Sequence, residues 1–165
     1  MPPEFLLDPN GAAVIARLAR ALGESGNEVA LLLAGSRTTQ RPVQLDRILV
    51  PRQTALNSDR GCGLIVDGGC LNRLGPQMRQ ASRSIYGILH SHPTEAYHSP
   101  TDAEGPLMRF HGAFSIVIPD FGRRRELLDG SAAYRFDVES GWKSVPPNEL
   151  LVVVKGKPAE VIYDE

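Results

Sequence analysis

The sequence has only two cysteines, Cys62 and Cys70, in 165 residues, and they lack the C-x-x-C spacing of a structural zinc site. A disulfide-stapled scaffold is excluded by that count, and both read as ordinary thiols. Long apolar runs are missing as well: no stretch approaches the roughly 18 residues that span a bilayer, so no membrane partner is expected. Residues 1–10 lack the basic start and apolar segment of a secretory signal, which makes the cytoplasm the expected compartment. An excess of one charge is also absent. With 18 Lys and Arg against 19 Asp and Glu, the formal net charge is -1, and nothing global favours nucleic acid as a partner. There is no repeat or low-complexity tract. What remains is 42% hydrophobic and 22% charged, the composition of a compact enzyme or binding module. The length suits one domain over 1–165.

Hydrophobic spacing gives the coarse organisation. Val14, Ile15, Leu18, Ala19 and Leu22 share one helix face, predicting an amphipathic helix over 10–22 with Asn10 as its cap and Gly23 as its stop. Residues 29–34 form a short apolar run closed by Gly35, the pattern of a central strand buried on both faces. Residues 45–50, ending at Pro51, and 63–66 read as strands, with a polar loop over 52–61 between them. Leu71, Leu74 and Met78 predict a second helix over 67–81, disturbed by Pro76. Residues 85–89 are a further buried strand, whose end delivers His-Ser-His-Pro. Ser99, Pro100 and Asp102 then read as a helix start, with serine as cap, proline first and an acid third, and a short helix runs toward Phe110. Strands over 113–118, 133–138, 150–154 and 161–163 complete an α+β fold with a mixed sheet.

In a strand, residues i and i+2 share a face, so His90 and His92 present two imidazoles together while Ser91 points away. Asp102 follows after a turn and can fold back to supply a carboxylate oxygen. Two nitrogens, one oxygen and a water make the open tetrahedral site of a catalytic zinc. Each feature has a plainer reading: H-x-H at a strand end arises by packing, and Ser99 with Asp102 is explained as a cap and a first-turn acid. Their combination points to a metal. Arg123, Arg124 and Arg125 read as a solvated turn tip, with contact to an acidic partner as the alternative. Trp142 and Phe136 read as packing residues, and His111 as part of a helix end.

The segment YGILHSHPTEAYHSPTD resembles the signature of the JAMM, or MPN-plus, metalloproteases: a strand ending in H-S-H-P, a loop, then S-x-x-D opening a helix. Upstream, NEVALLLAG places Glu28 where that family introduces a strand with a glutamate, and RILVPRQ and the helix before Tyr86 are similar too. The resemblance covers 11–118. It implies a JAB/MPN-like, cytidine-deaminase-like architecture, a mixed sheet sandwiched by helices. It further implies one zinc per chain on His90, His92 and Asp102, with Glu28 as the base that takes the water's proton and returns it to the leaving amine. Ser99 would donate to the oxyanion. The implied partner is a ubiquitin-like or other β-grasp protein with an extended C-terminal tail, cut at an isopeptide or linear peptide bond. The loop between His92 and Ser99 is one residue shorter than the family's, which makes His98 a rival ligand; Glu24 and Glu95 are lesser candidates for the base. Two other readings remain: a non-catalytic MPN-like scaffold, and a cupin-type metal-dependent oxygenase using the H-x-H with Glu95. The latter would need a jelly roll, without helices at 10–22 and 68–81.

Overall fold

The most apolar run of the chain becomes its central strand. The computed structural model describes residues 2–58, 61–99 and 107–165. In chain order the elements are β1 (Phe5–Leu7), α1 (Pro9–Gly23), β2 (Ala30–Ser36), β3 (Val43–Val50), β4 (Gln53–Ser58), β5 (Gly61–Val66), α2 (Cys70–Gln80) and β6 (Arg83–Ser91). After them come β7 (Phe114–Ile118), a 3-10 turn (Asp120–Gly122), β8 (Ala132–Asp137), β9 (Gly141–Val145), α3 (Pro147–Leu150), β10 (Leu151–Val153) and β11 (Glu160–Tyr163). One mixed sheet runs in the order β10-β1-β3-β2-β6-β7-β8-β9, with β11 also paired to β3. β1 pairs in parallel with the first part of β3 and β11 in parallel with its last part, so the two lie end to end along it.

Every residue of β2 except Ser36 is buried. Its period of two divides the core: Leu31 and Leu33 join Ile15 and Ala19 of α1, while Leu32 and Ala34 join Leu74 and Met78 of α2. The sheet is thus sandwiched between α1 and α2, the α+β arrangement expected from the apolar pattern. Two helices on a sheet with parallel pairs, among them β6 with β7, do not make a jelly roll.

Several boundaries differ from the sequence reading, each for a physical reason. The cap of α1 is Asp8, whose carboxylate accepts from the N–H groups of Asn10 and Gly11, both at 3.0 Å, and Pro9 takes the first helical position. α1 ends at Gly23, as expected, although the backbone stays right-handed at Glu24, so Gly23 is not a left-handed stop. Its lack of a side chain serves close packing, because a Cβ there would sit 2.5 Å from that of Phe121. α2 continues through Pro76. Burying Leu74 and Met78, exposed by 0% and 2%, contributes about 1.5–3 kcal/mol each, enough to offset a proline penalty of about 3 kcal/mol.

Residues 52–61 are not simply a loop, since β4 pairs with β5 as an antiparallel hairpin apart from the main sheet. Leu56 and Ile65 stay about half exposed there, so the hairpin lacks the core-facing pattern that marks a strand. β1 and β9 were not expected. The expected helix start at 100–102 lies outside the described residues, and 107–112 form turns, so no helix reaches Phe110. His111 is accordingly on no helix end; it is exposed, 3.8 Å from Asp137. No helix is long and apolar enough to cross a membrane among the described residues.

Buried carboxylates tie separate elements together. Asp46 faces Arg83, Arg47 and Lys157; burial pushes its pKa up, but these cations outweigh it and hold the carboxyl below its ordinary value. Asp164, bonded by both Nε and Nη2 of Arg73 at 2.7 Å, is held down to about 2.

Candidate metal centre and cleft

β2 and β6 run antiparallel with Ala30 opposite His90. Continuing that register by two residues sets Glu28 across from His92, so the pairing of two apolar strands brings the acid to the imidazoles. The segment carrying Glu28 precedes the strand proper, and side chains hold it instead. Ser91, on the face opposite the histidines, accepts the Val29 N–H on its Oγ at 2.9 Å, and its own N–H donates to the Val29 carbonyl at 3.0 Å. Gln53 acts like one more strand residue beside Ala30: its Oε1 accepts the Ala30 N–H at 2.8 Å and its Nε2 donates to the Ala30 carbonyl at 2.9 Å. Neither residue stood out as functional in the sequence. Their signal was there in part, as the middle residue of H-S-H and the glutamine two residues after Pro51.

Both imidazoles are buried, His90 at 7% exposure and His92 at 5%. The backbone of His92 is fixed on both sides, its N–H donating to Ile118 O at 2.9 Å and its carbonyl accepting from Phe121 N–H at 2.8 Å. Phe121 and Asp120 hold this turn in the left-handed region, with φ of 51° and 54°, a conformation that costs about 1–2 kcal/mol per non-glycine residue. The Nε2 atoms of His90 and His92 converge to 3.3 Å. The Nδ1 of His92 faces the Glu95 carbonyl at 3.3 Å, and donating to it places the proton on Nδ1 and the lone pair on Nε2.

These nitrogens fit a metal. Two ligands about 2.0–2.1 Å from a tetrahedral ion lie about 3.3 Å from each other, and a backbone carbonyl behind a ligating ring is the usual way its tautomer is set. Among the described residues no third His, Cys, Asp or Glu completes the group. Asp102, the expected third ligand, lies outside them.

Glu28, His90, His92 and Ser99 line one cleft of about 530 Å³. All six residues of β5 line it too. Successive side chains of a strand point to opposite faces, so six in a row means that β5 meets the cleft with its edge, and β4 is its only strand partner among the described residues. Trp142 forms part of the wall besides packing against Phe136, a role beyond the packing expected of it. Cys62 is more than an ordinary thiol here: its Sγ lies 3.6 Å from Glu28 Oε1, and burial together with the Glu28 charge pushes its pKa up, so it stays a neutral donor. Glu24 and Glu95 are exposed and do not line the cleft. A backbone N–H bond and Thr94 hold the Glu95 carboxyl below its ordinary value, which makes it a poorer base. His98 directs its Nε2 at Ser115 Oγ, 2.8 Å away.

An α+β fold with two buried, convergent imidazoles and an acid lining one cleft has the parts of a metal-dependent hydrolase. No family profile matches the chain. A protein of Sinorhizobium fredii named probable metalloprotease y4jG is 31% identical over 127 residues, 77% of this chain and 78% of that one. The chain belongs to that metalloprotease family, and membership implies a metal ion. The fold is shared with a protein from Salinibacter ruber known by its solution structure, at 18% identity, 92% coverage of both chains and a TM-score of 0.53.

Proposed function

We propose that this metalloprotease is a JAMM-type zinc hydrolase that cuts after the C-terminal tail of a ubiquitin-like or other β-grasp protein, releasing it from a conjugate or trimming its precursor. The observation that carries the reading is the pair of buried Nε2 atoms 3.3 Å apart, with Glu28 set opposite by the β2–β6 register. His90 and His92 would hold one zinc per chain, with Asp102 as the third ligand. The ion would supply Lewis acidity, making a water acidic enough to lose its proton near neutral pH.

The chain's own groups do the rest. Glu28 takes the proton from the attacking water and returns it to the leaving amine. Cys62, neutral and 3.6 Å from one carboxylate oxygen, steadies Glu28. Ser99 donates its hydroxyl to the carbonyl oxygen as negative charge grows there. The edge of β5 accepts an extended tail as an added strand, giving main-chain hydrogen bonds without demanding a particular sequence. Small residues would be required next to the bond cut, because the tail must pass close to Glu28 and Ser99. A Cβ built at Gly63 meets nothing nearer than Leu56 at 4.0 Å, and one at Gly68 meets nothing within 4 Å, so a substrate backbone has room at these two positions. The setting is taken as cytoplasmic, with neither nucleic acid nor membrane as partner.

The test is to incubate zinc-loaded protein with β-grasp fusions whose tails end either in glycine or in a bulky residue, following cleavage by intact mass. Cutting of the glycine form alone supports the reading. Equal cutting of both, or of unrelated unfolded chains, makes the protein a general peptidase. A non-catalytic scaffold would cut neither and carry no zinc.

A further inference from the structure

Residues 92–99 leave β6 and pass the cleft with no regular structure. Their placement therefore depends on isolated bonds. Near the start, the Thr94 carbonyl accepts from Asp120 N–H at 2.9 Å, and the Glu95 carbonyl faces His92 Nδ1 at 3.3 Å. Toward the far end, His98 makes several contacts. The His98 N–H donates to Tyr134 Oη at 3.1 Å, and its Nε2 lies 2.8 Å from the Oγ of Ser115, which is buried. Its ring stacks on Tyr134 with centroids 3.9 Å apart and planes 14° from parallel, and Trp142 meets it nearly perpendicular at 5.2 Å. These contacts come from β7, β8 and β9, so a single loop side chain is tied to three strands. Its neighbours on either side both serve the cleft: Ser99 lines it, and Tyr97 lines it with its ring edge-on to His92 at 4.7 Å.

We propose that His98 is a positioning residue, a clamp that fixes the end of this loop so that the Ser99 hydroxyl is presented to the reacting carbonyl. The proposal rests on the reading of Glu28 and Ser99 given above. A metal bound through Nε2 would break the bond to Ser115, so the clamp and ligation through that nitrogen are alternatives. The clamp acts on catalysis only through Ser99. Removing it should lower kcat without much change in KM, since the interaction lost is made chiefly in the transition state.

The experiment compares His98→Ala, Ser115→Ala, Ser99→Ala and the His98→Ala/Ser99→Ala double variant of the whole chain. The readouts are cleavage of a glycine-ended β-grasp fusion, zinc content, and amide hydrogen exchange. A donor to an oxyanion is worth about 10²–10³ in kcat, so loosening it through His98→Ala should lower kcat by about 10–100-fold, with KM within about threefold. The double variant should be scarcely slower than Ser99→Ala alone, the non-additivity expected when one residue acts through another. Amides of 94–99 should exchange at least about tenfold faster in His98→Ala and Ser115→Ala while β6 and β7 keep their protection, and zinc should be retained. Unchanged exchange, zinc loss in His98→Ala, or losses that simply add in the double variant would overturn the clamp. Full turnover by Glu28→Gln would instead overturn the assignment of the site. If no fusion is cut, exchange and zinc content still decide on the clamp.

Discussion

Replacing Ser91 by alanine removes one oxygen atom and tests how Glu28 is held. Ser91 and Val29 are exposed by 0% and 1%, so the Val29 N–H that now donates to Ser91 Oγ at 2.9 Å would be left in a dry interior. Stranding a buried donor costs about 1–3 kcal/mol, more than the net worth of the bond itself. The reciprocal bond from Ser91 N–H to Val29 O is made by backbone and remains. Urea unfolding followed by circular dichroism should show a fall in stability of about 1–3 kcal/mol at unchanged m-value, or about 2–4 °C in Tm for each kcal/mol. Glu28, the proposed base, is the next residue, and loosening its anchor should lower kcat by about tenfold or more, because displacement of a catalytic group by about 1 Å can cost two orders of magnitude. Stability within about 0.5 kcal/mol of the parent together with unaltered kcat would refute the idea that Ser91 anchors Glu28.

Glu28→Gln should keep its fold and its zinc while losing about two or more orders of magnitude in turnover; near-parental turnover would remove Glu28 from the base role. Asp164 has a folded pKa of about 2 against an ordinary 3.8, chiefly through its hydrogen bonds from Arg73. A lowered carboxyl pKa stabilises the fold above the unfolded value, and that contribution is lost as pH falls from 3.8 through about 2. Acid titration of Tm should therefore fall more gently over this range in Asp164→Asn than in the parent, and parallel curves would count against the assignment. Cys62→Ala should fold normally but lower kcat by several-fold with KM little changed, since a donor to Glu28 is lost; Cys62→Ser, which keeps a donor, should recover most of the rate in the same steady-state assay.

The strands and helices that face the core were legible because their periodicity is imposed by burial. β2 reads as an unbroken apolar run because α1 and α2 cover both of its faces, and α1 shows a clean stripe because only one of its faces is covered. The β4–β5 hairpin was not legible for the same reason: Leu56 and Ile65 remain exposed, so no face of the hairpin repeats an apolar residue toward a core. The cap of α1 was misplaced by two positions, since Asp8 and Asn10 are both good caps and only Pro9 between them decides which one stands outside the helix. In the site, the H-x-H spacing gave the two imidazoles directly. What the sequence did not reveal were the long-range supports: Ser91 on Val29, Gln53 on Ala30, Cys62 on Glu28 and His98 against Ser115 and Tyr134. Each depends on strand register between distant segments, and a polar residue next to a motif carries no local mark of the partner it will meet.

The central claim, that His90 and His92 hold a catalytic zinc, is tested most directly by measuring metal per chain by mass spectrometry in protein purified without chelator, alongside His90→Ala, His92→Ala, Asp102→Ala and His98→Ala. One zinc per chain is expected in the parent and in His98→Ala, with marked loss in the other three. Absence of metal in the parent, or zinc retained in full when either His90 or His92 is removed, would contradict it.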